Sequence, residues 1–142
     1  GVTVSDMTLK QAKYHPIHVV ATDNADVTDT IIKNVHIIDP GQQAIKINQN
    51  SAKTHFADKG IISGCRIELT DAGRQKVFEI NSSCYTGGVD GHQARGWEVR
   101  DNVIEGFWCE KGKVCPNMGF TSGAAAVIRL WNATDSLTIL VE

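Results

Sequence analysis

The sequence predicts an all-β chain, a right-handed parallel β-helix built as a single-stranded solenoid of about four to five short coils. Three observations point there. One short pattern recurs along the chain, every complete copy carries Gly, Asn or Asp at the same place, and a second short strand falls between successive copies. A repeat unit of this kind cannot bury its apolar face alone, and stacking on its neighbours gives the chain one continuous core.

The recurring segments are VTVSDMTL at 2–9, TIIKNVHI at 30–37, GIISGCRI at 60–67, WEVRDNVI at 97–104 and LTILVE at 137–142. Their third residues, Val4, Ile32, Ile62, Val99 and Ile139, are spaced by 28, 30, 37 and 40 positions, which suits coils carrying loops of variable length. Two places further on stand Asp6, Asn34, Gly64 and Asp101. These residue types enter left-handed backbone conformations most easily, so the column predicts a one-residue corner between two strands. Beyond the corner, alternation places Met7, Val35, Cys65 and Asn102 inward, Thr8, His36, Arg66 and Val103 outward, and Leu9, Ile37, Ile67 and Ile104 inward again. Asn102 is the polar member of its column. An inward Asn at a bend can bond backbone groups, which makes it structural.

The second strand recurs as PIHVV at 16–20, AIKIN at 44–48 and VIRLW at 127–131. Two segments compete for the third copy. VFEIN at 77–81 resembles AIKIN locally, whereas GVDGH at 88–92 lies at the better distance from its corner. GVDGH is preferred, with VFEIN inside a long insertion. An antiparallel sandwich or jelly roll is the competing fold, but tight hairpin signals between alternating strands are nearly missing. No long stretch shows helical periodicity, which argues against an α/β fold.

Length and composition agree with one folded domain over 1–142. Charged residues are 21% and hydrophobic ones 42% of the chain, unlike a disordered segment. The formal net charge of −2, from 14 basic and 16 acidic residues, supplies no field favouring nucleic acid or an anionic membrane, and neither partner is expected. No apolar run approaches the ~20 residues of a membrane helix. GVTVSDMT lacks the plan of a secretory signal. The spacings of Cys65, Cys84, Cys109 and Cys115 match no common zinc site, so neither metal nor cofactor is expected. Cys109 and Cys115 flank a short loop that could close as a disulfide, with Cys84 a rival partner and free buried thiols the alternative. A bridged pair would favour a secreted or periplasmic protein.

TGGVDGHQARGWEVRDNVIEGFWC, followed by AAVIRLWNATDSLTILVE, resembles bacterial right-handed parallel β-helix repeat proteins of the broad class related to pectate lyases. The shared pattern is Gly-Val-Asp-x-His, then Trp-x-Val-x-Asp-Asn, then Trp-Asn-x-Ser/Thr, and the likeness runs from about residue 26 to 142. The resemblance implies the fold more strongly than an activity, because relatives include polysaccharide lyases, glycoside hydrolases and non-enzymatic surface or assembly modules. The chain departs from that class in size, since its lyases usually have more coils, an N-terminal capping helix and long loops forming a cleft. Because solenoids hide their end coils under caps, the chain is expected to be a fragment or to self-associate through an end or a flat sheet face.

Outward residues of the second strand should stack in rows about 4.8 Å apart. One row reads His18, Lys46, Asp90, Arg129 and the next Val20, Asn48, His92, Trp131. An indole can stack on a sugar ring, and Arg or Lys can pair with a uronate carboxylate, so the face suits an acidic polysaccharide. For a uronate lyase, Lys46 or His92 could be the base and Arg129 the group that neutralises the developing charge, with Asp90, Asn48 and Trp131 binding substrate. A glycosidase would need a carboxylate pair, for which only Asp90 and Glu79 offer themselves. The competing reading is a cross-strand charge ladder in a structural or self-assembly module. His15, His36 and His55 carry no signal in the sequence.

Overall fold

The computed structural model describes residues 1–80, 85–107 and 128–131, the last as backbone. Among them the regular structure is mostly β, with one short helix, and every strand pairing is parallel. Three strands of the first round are β1 (Thr3–Lys10), β2 (Ile17–Val20) and β3 (Val27–Thr28). The second round repeats the order with β4 (Ile31–Ile38), β5 (Gln43–Asn48) and β6 (Ala57–Asp58). The third begins as β7 (Ile61–Ser63) and β8 (Arg66–Glu68), passes through helix α1 (Asp71–Ile80) and continues as β9 (Gly87–His92). Then follow β10 (Glu98–Arg100), β11 (Val103–Glu105) and β12 (Ile128–Trp131).

Successive parts of the chain extend the first two sheets, while the third holds β3 and β6 alone among the described residues. The first sheet joins β1 to β4, β4 to both β7 and β8, β7 to β10 and β8 to β11; the second runs β2–β5–β9–β12; the third pairs β3 with β6. Register follows the recurring segments: Val4 pairs with Ile32, Ile32 with Ile62, and Ile62 with Val99. GVDGH, not VFEIN, supplies the third strand of the second sheet, because residues 77–80 lie in α1. The last recurring segment, 137–142, lies outside the described residues, as do Cys84, Cys109, Cys115 and Trp108.

All four corner residues have positive φ: Asp6 at 55°, Asn34 at 52°, Gly64 at 61° and Asp101 at 56°. Their stacking is chemical as well as geometric, since Asn34 Nδ2 donates to Asp6 Oδ1 at 3.2 Å. Gly64 interrupts this stack, because a Cβ there would lie 2.7 Å from Asn34 Oδ1. Two further corner columns went unread in the sequence. Gln11, Asp39 and Gly106 have positive φ at the far end of the first-sheet strands, and Asp29, Lys59 and Gly96 just before them. Gln and Lys carry no left-handed preference, and ladder bonds hold them there: Gln11 N donates to Ile38 O (2.9 Å) and Lys59 N to Arg95 O (2.7 Å).

The core is a column of β-branched side chains pointing inward from stacked strands, with Ile32, Val35, Ile37, Ile45, Ile62 and Ile67 at 0% exposure. Trp97 closes it on one side, buried to 2%, its Nε1 donating to Ala57 O at 2.8 Å. Asn102 behaves as an inward structural amide: its Oδ1 accepts from Cys65 N at 2.8 Å and its Nδ2 donates to Ile62 O at 2.9 Å, so it straddles the Gly64 corner of the neighbouring round. One inward expectation fails. Met7 is 43% exposed, because β1 is an outer strand of its sheet and, among the described residues, pairs with β4 alone.

The helix is the other departure. Thr70 caps it, its Oγ1 accepting from Gly73 N at 3.3 Å, while Asp39 accepts from Thr70 N (2.8 Å) and Thr70 Oγ1 (3.0 Å). Buried Arg74 ties α1 to the strands by donating to Leu69 O at 2.7 Å and Gly106 O at 2.8 Å, and it pairs with Asp71. Ten residues with one modest apolar face give little periodic signal, and contacts from other rounds hold the segment helical. No helix among the described residues is long and apolar enough to cross a membrane.

Candidate functional site

Alternation along β5 sends Ile45 and Ile47 to the core and Lys46 to the opposite side; along β9 it does the same for Val89 and for Asp90 and His92. Parallel register then sets residues side by side: His18 beside Lys46, Lys46 beside Asp90, Asp90 beside Arg129, and His92 beside Trp131. The first row is therefore continuous across four strands. Asn48 pairs with Val20 and stands one place beyond the Ile47–Gly91 pair. The side chains of Arg129 and Trp131 lie outside the described residues; their backbone register is what places them.

The expected open face is not open at its middle. Lys46 and Asp90 are buried, at 6% and 4% exposure, whereas His18 at the outer strand is exposed. Tyr85, 39 residues from Lys46 in sequence, joins the buried pair, with its ring centroid 5.7 Å from the ammonium nitrogen. Lys46 Nζ forms an ion pair with Asp90 Oδ2, donates to Tyr85 Oη at 3.1 Å, and lies 3.0 Å from His92 Nε2. An ammonium has three N–H groups and no lone pair, so it donates to the His92 nitrogen, and the imidazole proton sits on Nδ1. His92 Nε2 is also 3.4 Å from Asp90 Oδ2. The second carboxylate oxygen, Asp90 Oδ1, is buried with no hydrogen-bond partner among the described residues.

Lys46, Asp90 and His92 thus converge, and Asn48 belongs to a neighbouring contact, its Oδ1 3.0 Å from His18 Nε2. Sequence reasoning missed Tyr85, which lies in the chain entering β9 and follows no strand alternation. It also passed over His15. That ring sits 5.6 Å from His18 and bonds Gln43 O through Nδ1 at 3.0 Å. Burial pushes the His15 imidazole below its ordinary pKa, the Gln43 carbonyl opposes this, and the His18 and Lys46 charges add to the depression. His36 and His55 belong elsewhere, paired with Glu68 at 2.7 Å and Asp26 at 3.2 Å. Glu79 stands exposed on α1, outside the second sheet, so it does not join Asp90 in a sheet-borne carboxylate pair. Among the described residues, no group of three or more His, Cys, Asp and Glu is placed to hold a metal ion.

No family model, curated protein or solved structure matches this chain.

Proposed function

We propose that the chain is a right-handed parallel β-helix module of the pectate-lyase-like class that binds an acidic polysaccharide on the sheet of β2, β5, β9 and β12. The β-helix reading is supported by the rotation of the chain through three parallel sheets and by corner residues recurring at a fixed phase. The observation that carries the functional reading is the buried Lys46–Asp90 pair, gathered with Tyr85 and His92 in register with Arg129 and Trp131. A charge ladder serving stability would sit in solvent, as Arg66 does, half-exposed between Glu68 and Glu105 on the first sheet. Burying both ions costs several kcal/mol of desolvation each, which apolar residues of similar volume would avoid. A recognition role gives the burial a reason.

In this reading Arg129 pairs with a uronate carboxylate and Trp131 stacks on a sugar ring. Lys46 and Asp90 position His92. Binding is better supported than cleavage, because the two candidate bases, Lys46 and His92, are engaged with each other. Titration with pectate, alginate and chondroitin tests the proposal, with the ultraviolet absorbance of unsaturated uronates reporting any lyase reaction. Binding to at least one polymer is expected, weakened about ten-fold or more by Arg129→Ala. Absence of binding to all three polymers would end it.

A second reading, self-assembly as a structural module, draws on the outer strands β1 and β2. Among the described residues they have one partner strand each, and Val2, Met7 and Val20 are exposed beside them. Sedimentation should then show concentration-dependent association, and a monomer at every concentration would remove this reading.

A further inference from the structure

We infer that Tyr85 is a ligand-binding residue of this site with a fixed polarity: it donates its hydroxyl proton to a carboxylate oxygen of the saccharide. The inference rests on the saccharide reading and begins with the hydrogen-bond capacity of Lys46. Its three N–H groups meet three acceptors, Asp90 Oδ2, His92 Nε2 and Tyr85 Oη. The ammonium is thereby saturated, and it has no N–H left for a ligand. Because the phenol oxygen accepts from Lys46, the phenol's own proton is directed elsewhere, and it has no acceptor among the described residues.

Position selects Tyr85 for contact with a ligand. Lys46 and Asp90 are buried, whereas Tyr85 is only partly buried and the His92 side chain is 35% exposed, so these two are the members of the cluster within reach of a ligand. Charge selects the acceptor. A cation donating to the phenol oxygen polarises the O–H bond, and a polarised donor gains most from an ionised acceptor. The Lys46–Asp90 pair is neutral as a unit and does not repel an anion. A carboxylate accepts only, which matches a group that can only donate, and being ionised it gains more from the polarised donor than a neutral sugar hydroxyl does.

The test compares wild type with Tyr85→Phe against an oligogalacturonate and its carboxyl-reduced, neutral counterpart, by calorimetric titration. Urea unfolding checks that the variant is folded, since it loses one of three acceptors around Lys46. The expected result is a loss of about ten-fold or more on the uronate for Tyr85→Phe, with no difference between the two proteins on the reduced oligomer. A folded Tyr85→Phe that binds the uronate as tightly as wild type overturns the inference and leaves the saccharide reading in place. Equal weakening on both oligomers overturns the carboxylate as acceptor. A wild type that binds neither oligomer overturns the inference, and the reading beneath it falls as well when alginate and chondroitin also go unbound.

Discussion

Lys46→Met is expected to cost about 3–5 kcal/mol of stability, because it leaves the Asp90 carboxylate buried without its counter-ion. Asp90 already keeps one oxygen unpartnered among the described residues, so the loss of the ammonium removes the principal compensation of its charge. Asp90→Leu should be comparably damaging from the other side, stranding a buried ammonium that retains only Tyr85 and His92. The double variant Lys46→Met/Asp90→Leu should recover most of the deficit, since two apolar side chains need no desolvation compensation in that setting. Urea unfolding of the four proteins gives the coupling directly. Single variants that each lose less than about 1 kcal/mol, as solvent-exposed pairs do, would show that the pair is not buried in solution. Polysaccharide binding by a stable double variant would separately show that the pair is dispensable for recognition.

The second large effect concerns Trp97. Trp97→Ala should cost about 3–5 kcal/mol, combining the loss of a nearly fully buried indole with the cavity it leaves. The indole N–H also satisfies Ala57 O, which the variant leaves without that donor. Trp97 further dictates its neighbour. An added Cβ at Gly60 would come within 2.4 Å of the indole ring, so Gly60→Ala should destabilise wild type by about 1–3 kcal/mol. In the Trp97→Ala background the same methyl enters vacated space, and its cost should vanish or change sign. Simple additivity of the two changes in thermal or urea unfolding would refute the packing described for this pair.

Local chemistry made some features readable before any coordinates. Asp6, Asn34, Gly64 and Asp101 betray their corner because these residue types enter the left-handed region at little cost. The strands on either side alternate, so the inward places of Val35, Ile37 and Ile67 are legible in the sequence, and all three are buried in the core. Asn102 was legible as a bend amide for a similar reason, since the side chain of an inward Asn has only backbone to bond. By contrast, Gln11 and Lys59 hide their corners, because their residue types carry no such preference and ladder bonds to Ile38 and Arg95 impose the conformation. The likeness of VFEIN to AIKIN is a coincidence of composition: in α1 the first segment answers to Thr70, Asp39 and Arg74 instead of a sheet.

The candidate site divides along the same line. Alternation and register follow from the chain itself, which is why Lys46, Asp90 and Arg129 could be set in one row from the sequence. Alternation tells on which side of a strand a residue points but not what lies above it. Tyr85 and His15 reach the row from connecting segments with no period of their own, and they turn part of a solvent-facing charge row into a half-enclosed cluster. The sequence alone thus determined the parallel strands, their corners and the order of polar residues across them, since these depend on backbone preference and on a two-residue period. Only the tertiary structure decided that Lys46 and Asp90 are buried, because burial depends on which distant segment folds over them.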